Sequence, residues 1–125
     1  MDQIEVRIFT LESGKEPFTE WHKKLRDKRA QARVDVRIAR VRTGNFGDCK
    51  SVGEDVYELR IDYGPGYRVY FGKIEATIIL LICGGDKSSQ DDDIRKAKAY
   101  WREFLGRQGE KDEQKEDDQL PESSA

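Results

Sequence analysis

The tetrapeptide Tyr63-Gly64-Pro65-Gly66 separates two segments, Val56–Asp62 and Tyr67–Lys73, whose apolar side chains recur at every second position. Alternating segments joined by a Gly-Pro-Gly turn read as an antiparallel hairpin, around which the rest of the chain must pack. Successive strand residues point to opposite faces, so Tyr57, Leu59 and Ile61 share one side, as do Tyr67, Val69 and Phe71. With those sides turned inward, Glu58, Arg60, Arg68 and Tyr70 gather on an exposed sheet surface, and Lys87 can approach its rim. An acid, two guanidiniums, a phenol and an ammonium could handle a phosphate. The same spacing also serves ordinary cross-strand ion pairs on a wet face.

The elements flanking the hairpin follow from periodicity and punctuation. Ile4, Val6 and Ile8 alternate with Glu5 and Arg7, as in a half-buried strand. Pro17 at a first turn, with Phe18, Trp21 and Leu25 at i, i+3 and i+7, predicts a helix. Lys28–Arg42 fits either period, but its length, its alanines and the stop Thr43-Gly44-Asn45 favour a helix. Two buried sides are expected on it, Ala30/Val34/Ile38/Val41 and Ala32/Val36/Ala39. Thr77–Cys83 is apolar throughout, as a strand covered on both faces would be. A tight loop, Gly84–Ser89, precedes a helix with Ser89 as N-cap, Asp91–Asp93 at its positive end, and a stripe of Ile94, Ala97, Trp101 and Phe104. The order β-α-α-β-β-β-α defines an α+β domain, a mainly antiparallel sheet packed against helices.

At 125 residues the chain suits one domain. Residues 1–105 carry the pattern of a folded unit; residues 106–125, with three basic and seven acidic side chains, read as a disordered acidic tail. No apolar run approaches the roughly 20 residues of a membrane span. Met1-Asp2-Gln3-Ile4-Glu5 has no basic or apolar leader region, so cytoplasmic residence with no membrane partner is expected. Two cysteines make no disulfide framework, and the single histidine, His22, argues against His-pair metal sites; neither metal nor cofactor is expected. Cys49 and Cys83 read as small apolar residues, and the glycine-rich turns lack the Gly-Lys-Ser/Thr of a nucleotide loop.

The net charge of −2 conceals a basic segment: His22–Arg42 holds nine Lys/Arg against two aspartates. Within it Arg29, Arg33, Arg37 and Arg40 form a helical stripe, suited to RNA phosphates or an acidic partner and equally to solubility. Lys50 joins them as an RNA-binding candidate. RNA can be cut without a metal when its 2′-hydroxyl attacks the adjacent phosphate. That reaction needs alignment, a base, charge neutralisation and a proton for the leaving oxygen. Arg60 and Arg68 suit neutralisation, Glu58 is the cluster's acid and could be the base, and Tyr70 or Lys87 could relay the proton.

Pro17-Phe18…Trp21, Gly44-Asn45-Phe46-Gly47-Asp48…Lys50-Ser51-Val52-Gly53, Tyr57-Glu58-Leu59-Arg60…Gly64-Pro65-Gly66-Tyr67-Arg68-Val69-Tyr70 and Cys83-Gly84-Gly85-Asp86-Lys87 occur in that order. Together they resemble the phage Gp49-like, HigB-type branch of the RelE/ParE toxin superfamily, often described as addiction-module killer proteins. The resemblance spans residues 4–104. It implies a RelE-like fold and the toxin of a type II toxin–antitoxin pair, a metal-independent endoribonuclease cutting mRNA on the ribosome. The implied partner is a cognate antitoxin, a helix-turn-helix DNA-binding protein. Arg60, Arg68 and Lys87 carry over as catalytic positions. Glu58 stands where RelE has a lysine, and RelE's catalytic tyrosine and the histidines of some HigB proteins have no counterpart. A ParE-like toxin that blocks DNA gyrase without catalysis, or an inactive phage-derived relative, stays open.

Overall fold

The computed structural model describes residues 3–119. In chain order it contains β1 (Glu5–Ile8), α1 (Pro17–Lys24), α2 (Lys28–Arg42), β2 (Cys49–Gly53), β3 (Val56–Ile61), β4 (Tyr67–Glu75), β5 (Ile78–Asp86), a 3-10 turn (Lys87–Ser89) and α3 (Gln90–Gln119). The strands form one sheet in the order β1-β5-β4-β3-β2. β1 lies parallel to β5, and the other three pairings are antiparallel. The α+β class, the hairpin and the extent of α2 agree with the sequence reading. Among the described residues no helix is long and apolar enough to cross a membrane.

Helices cover both faces of the sheet. On one, Phe18 of α1 and Val34, Ile38 and Val41 of α2 pack with Leu59, Ile61, Val69, Phe71, Ile79 and Leu81. On the other, Ala97 and Trp101 of α3 pack with Phe9, Val56, Tyr70, Leu80 and Ile82. Strand alternation demands this division, because β4 and β5 carry apolar side chains on both sides. The wet surface expected beneath Glu58 and Tyr70 is therefore a buried one. The apolar stripe of α3 needs a sheet face, and this is the face it takes.

Glycine lets the helices approach. An added Cβ at Gly84 would stand 2.3 Å from the Trp21 ring, and one at Gly72 2.4 Å from Trp101. Both indoles lie directly on backbone. The start of α2 is tied to the hairpin turn through Asp27. Its carboxylate accepts the Arg29 N–H at 2.9 Å and the Tyr63 hydroxyl at 2.8 Å.

Four expectations need correction. The sheet has a fifth strand, β2, which the sequence conceals because it is a largely exposed edge with no run of alternating apolar residues. It turns into β3 through Glu54 and Asp55, both with positive φ (56° and 64°), the backbone of a tight hairpin. Of the loop expected at Gly84–Ser89, Gly84–Asp86 are instead the end of β5, with Gly84 and Gly85 paired to Val69 and Arg68, and only Lys87–Ser89 turn. α2 buries one side only: Ala32, Val36 and Ala39 are exposed. Finally, α3 does not stop at Gly106. Arg107 lies over the Phe9 ring at 5.1 Å and donates to the Thr10 carbonyl at 3.0 Å. The helix continues to Gln119 through much of the segment expected to be disordered; residues 120–125 of that segment lie outside the described residues.

Gly72→Ala should destabilise the fold by about 1–3 kcal/mol, because the new methyl overpacks a ring seated on the strand. The urea midpoint measures this, and an unchanged midpoint would mean that Trp101 does not rest on β4.

Candidate functional site

The register of the β3–β4 hairpin sets Arg60 opposite Arg68 and Glu58 opposite Tyr70, all on the α3 side of the sheet. Glu58 is fully buried. Its Oε1 accepts from Arg60 Nε at 2.8 Å; its Oε2 accepts from Gln90 Nε2 at 2.9 Å and from the Tyr70 hydroxyl at 3.1 Å, with Arg68 Nε 3.5 Å away. A buried carboxylate is tolerated only with such company. Burial pushes its pKa up, but the hydrogen bonds from Arg60, Gln90 and Tyr70, with the Arg68 charge, outweigh that and hold it below the ordinary carboxylate range. Burial, and then the Glu58 charge, push the Tyr70 phenol strongly upward, so it stays protonated as a donor.

Above this network Arg60, Arg68 and Lys87 line one surface depression of about 260 Å³, together with Asp48, Asp62 and Gly66. The three cations expected from sequence are thus brought together. Glu58 and Tyr70 do not line the depression; they anchor the arginines from below. Arg68 is further fixed by Nη1, which donates to the Gly66 carbonyl at 2.9 Å. Gly66, at φ +79°, supplies a left-handed turn that only glycine adopts freely, and an added Cβ would touch both Arg68 and Lys87. Lys87 is exposed at the first position of the 3-10 turn, whose Asp86 carboxylate accepts the Ser88 N–H at 2.8 Å. Two guanidiniums and an ammonium around a concave surface favour a phosphate, with Asp48 and Asp62 limiting how much anionic charge can enter.

Gln90 was invisible to the sequence reading, since a glutamine between a turn and a helix carries no periodic signal. α3 reaches this position because Gly85 lets the Asp93 carboxylate pack against β5, where a Cβ would lie 1.8 Å from Oδ2. Ser89 precedes α3 as expected, but its hydroxyl is hydrogen-bonded to Asp93 at 2.5 Å. Burial raises the Asp93 carboxyl.

The arginine stripe of α2 divides. Arg37 turns toward the sheet and donates to the carbonyls of Arg60, Phe46 (2.9 Å) and Asp48 (3.3 Å), which makes it a structural tie and removes it from the RNA-binding candidates. Arg33 stacks on the Tyr63 ring at 4.5 Å, and Arg29 and Arg40 are exposed. Lys50 is exposed on β2, paired in register with Glu58. His22 is structural: Nε2 lies 2.9 Å from the Asp35 carboxylate. Cys83 is buried, with its thiol pushed up to about 12 by burial, which suits a packing role.

Because the folded-state pKa of Glu58 lies below its ordinary value of 4.5, the stability it contributes is complete above that value and is lost as pH falls through the lower one. Glu58→Gln should cost on the order of 1–3 kcal/mol at neutral pH, where it leaves the arginines without their counter-charge. It should also flatten the loss of stability on acidification from about pH 5 to about pH 3. Denaturant midpoints across that range test both; equal slopes for the variant and the parent would remove Glu58 as the titrating group.

No family model matches the chain. A curated relative, described as an uncharacterized protein of Haemophilus influenzae, is 50% identical over 87 residues, covering 70% of this chain and 88% of the relative. Identity at that level over most of both chains is a common fold and common ancestry, and the chain belongs to the family of that Haemophilus influenzae protein.

Proposed function

We propose that this protein is the toxin of a type II toxin–antitoxin pair with a RelE-like fold, and that it cleaves ribosome-bound mRNA without a metal ion. The observation that supports this most is the convergence of Arg60, Arg68 and Lys87 around one depression, with a buried carboxylate holding the two guanidiniums. The element order and the mixed sheet are in keeping with the fold that the sequence motifs suggest.

In this reading the scissile phosphodiester lies against Arg60 and Arg68. Their N–H groups neutralise the extra negative charge that builds on phosphorus as the 2′-hydroxyl attacks in line. Lys87, at the rim, meets a non-bridging or leaving oxygen. Glu58 is a positioning residue: ionised and saturated with donors, it orients the arginines and does not take the 2′-hydroxyl proton. Tyr70 steadies Glu58. Most of the rate acceleration then comes from alignment and charge stabilisation, while the 2′-hydroxyl proton passes to solvent and Lys87 gives a proton to the departing 5′-oxygen. The ribosome and mRNA are the cytoplasmic partners, and a cognate antitoxin, a helix-turn-helix DNA-binding protein, would silence the protein by covering the depression.

One observation favours a second reading. Glu58 is held ionised and Tyr70 protonated, so neither exchanges a proton near neutrality, as suits a ParE-like toxin that blocks DNA gyrase by binding alone.

Arg68→Ala should lower mRNA cleavage by about 10²–10³. Arg60→Ala and Lys87→Ala should act in the same direction, and Arg→Lys at either position should rescue only part, since an ammonium lacks the bidentate fork. Growth arrest on induction and 5′-end mapping of ribosome-bound mRNA give the readout, with circular dichroism checking that each variant folds. Undiminished toxicity in a folded Arg60/Arg68/Lys87 triple-alanine variant, accompanied by loss of gyrase supercoiling, would transfer the assignment to the second reading.

A further inference from the structure

The outer side of α2 lines a groove of about 540 Å³, larger than the depression holding Arg60 and Arg68. Ala32, Val36 and Ile61 give it an apolar lining, and Arg29, Arg33 and Arg40 line it beside one acid, Asp62. Val36 is 48% exposed, although the other valine within α2's first three turns, Val34, is fully buried. Arg37 closes one side of the groove, anchored to the sheet by backbone carbonyls. A lining that combines apolar side chains with four arginines against a single aspartate fits an amphipathic acidic segment better than a phosphate backbone, which has no apolar face to bury.

The chain itself carries a segment of that chemistry. Residues 110–122 hold seven acidic and two basic side chains. In the sequence Glu113, Glu116, Asp117 and Leu120 stand at the spacing i, i+3, i+4 and i+7, the period of an amphipathic acidic segment. α3 is helical through Gln119, and residues 108–111 are exposed along it. At 1.5 Å per residue the helix runs about 18 Å beyond Arg107. The packed part of α3 lies on the sheet face opposite α2.

We propose that the α2 groove binds the acidic C-terminal segment of a second copy of this protein, giving a salt-sensitive self-association. Leu120 seats near Val36, and the segment's carboxylates lie along Arg29, Arg33 and Arg40. Reciprocal exchange between two copies closes a dimer; one-way exchange builds a chain. Docking of this kind stands whether or not the protein cleaves RNA, because it involves none of Arg60, Arg68 and Lys87.

Sedimentation velocity of the full chain over a concentration series, at about 50 mM and about 500 mM salt, tests the proposal. Association is expected at low salt, weakening at least about tenfold at high salt. Neutralising the segment in the full chain (Glu113→Gln, Glu116→Gln, Asp117→Asn, Asp118→Asn) should weaken it by a similar factor, as should Arg29→Gln/Arg33→Gln/Arg40→Gln with Arg37 untouched. Val36→Asp should abolish seating. Arg29, Arg33, Val36 and Arg40 are exposed, so their variants should keep the parent's circular dichroism, which also checks the folding of the segment variants. The charge-swapped pair, Arg33→Glu/Arg40→Glu mixed with Glu116→Lys/Asp117→Lys, should associate with each other though neither associates alone. A full chain that stays monomeric at low salt overturns the proposal. So does self-association indifferent to the segment's charge. If the arginine variant instead loses affinity for a single-stranded RNA oligonucleotide while self-association is unchanged, the groove belongs to nucleic acid.

Discussion

A single ionised carboxylate under the sheet organises this molecule's chemistry. Glu58 draws donors from β3, from β4 and from the first residue of α3, so it ties the hairpin to a helix that starts 32 residues further along the chain. Removing a charge from water is costly, and the fold meets that cost by bringing two arginines, a tyrosine and a glutamine to it. The consequence lies outside the core. Arg60 and Arg68 are held beside one another, although two like charges facing across a strand pair would otherwise splay apart. A pair of guanidiniums kept close by an internal anion is prepared for an external one before any ligand arrives.

The same economy governs the approach of helices to sheet. Trp21 and Trp101 occupy spaces that only glycine leaves, one on each face, and Asp93 occupies a third over Gly85. The third contact bears on the site because it fixes where α3 begins and hence where Gln90 lies. Lys87 stands on the short turn between those anchored points. The depression's geometry is thus set by backbone proximity as much as by the side chains that line it.

Much of this was legible in the sequence. The Gly-Pro-Gly turn and two-residue alternation located the hairpin, and the grouping of Glu58, Arg60, Arg68 and Tyr70 follows from parity alone. Whether their face was wet or dry did not. That depends on α3 crossing the sheet, a contact between segments some thirty residues or more apart that no local period encodes. Arg37 shows the same limit. In the helical pattern it matches Arg33 and Arg40, and only the position of the Arg60 and Asp48 carbonyls distinguishes a tie from a free charge. β2 was missed because an exposed edge strand has little apolar signature. The long α3 was cut short because charge-rich composition resembles disorder, whereas Glu, Lys and Gln are also good helix formers.

The parallel pairing of β1 with β5 constrains how the protein is born. Residues 5–8 pair with 78–81, about 70 residues further along the chain, so closing that loop is the most entropically demanding step in the sheet. The β3–β4 hairpin, with its local turn, can form meanwhile. β1 can pair only once β5 has been made. In the folded sheet β1 is a short edge strand with an exposed Ile8, flanked by the Glu5–Arg7 ion pair. During translation β1 therefore waits for a partner made long after it, so the edge that closes the sheet depends on the longest-range pairing in the chain.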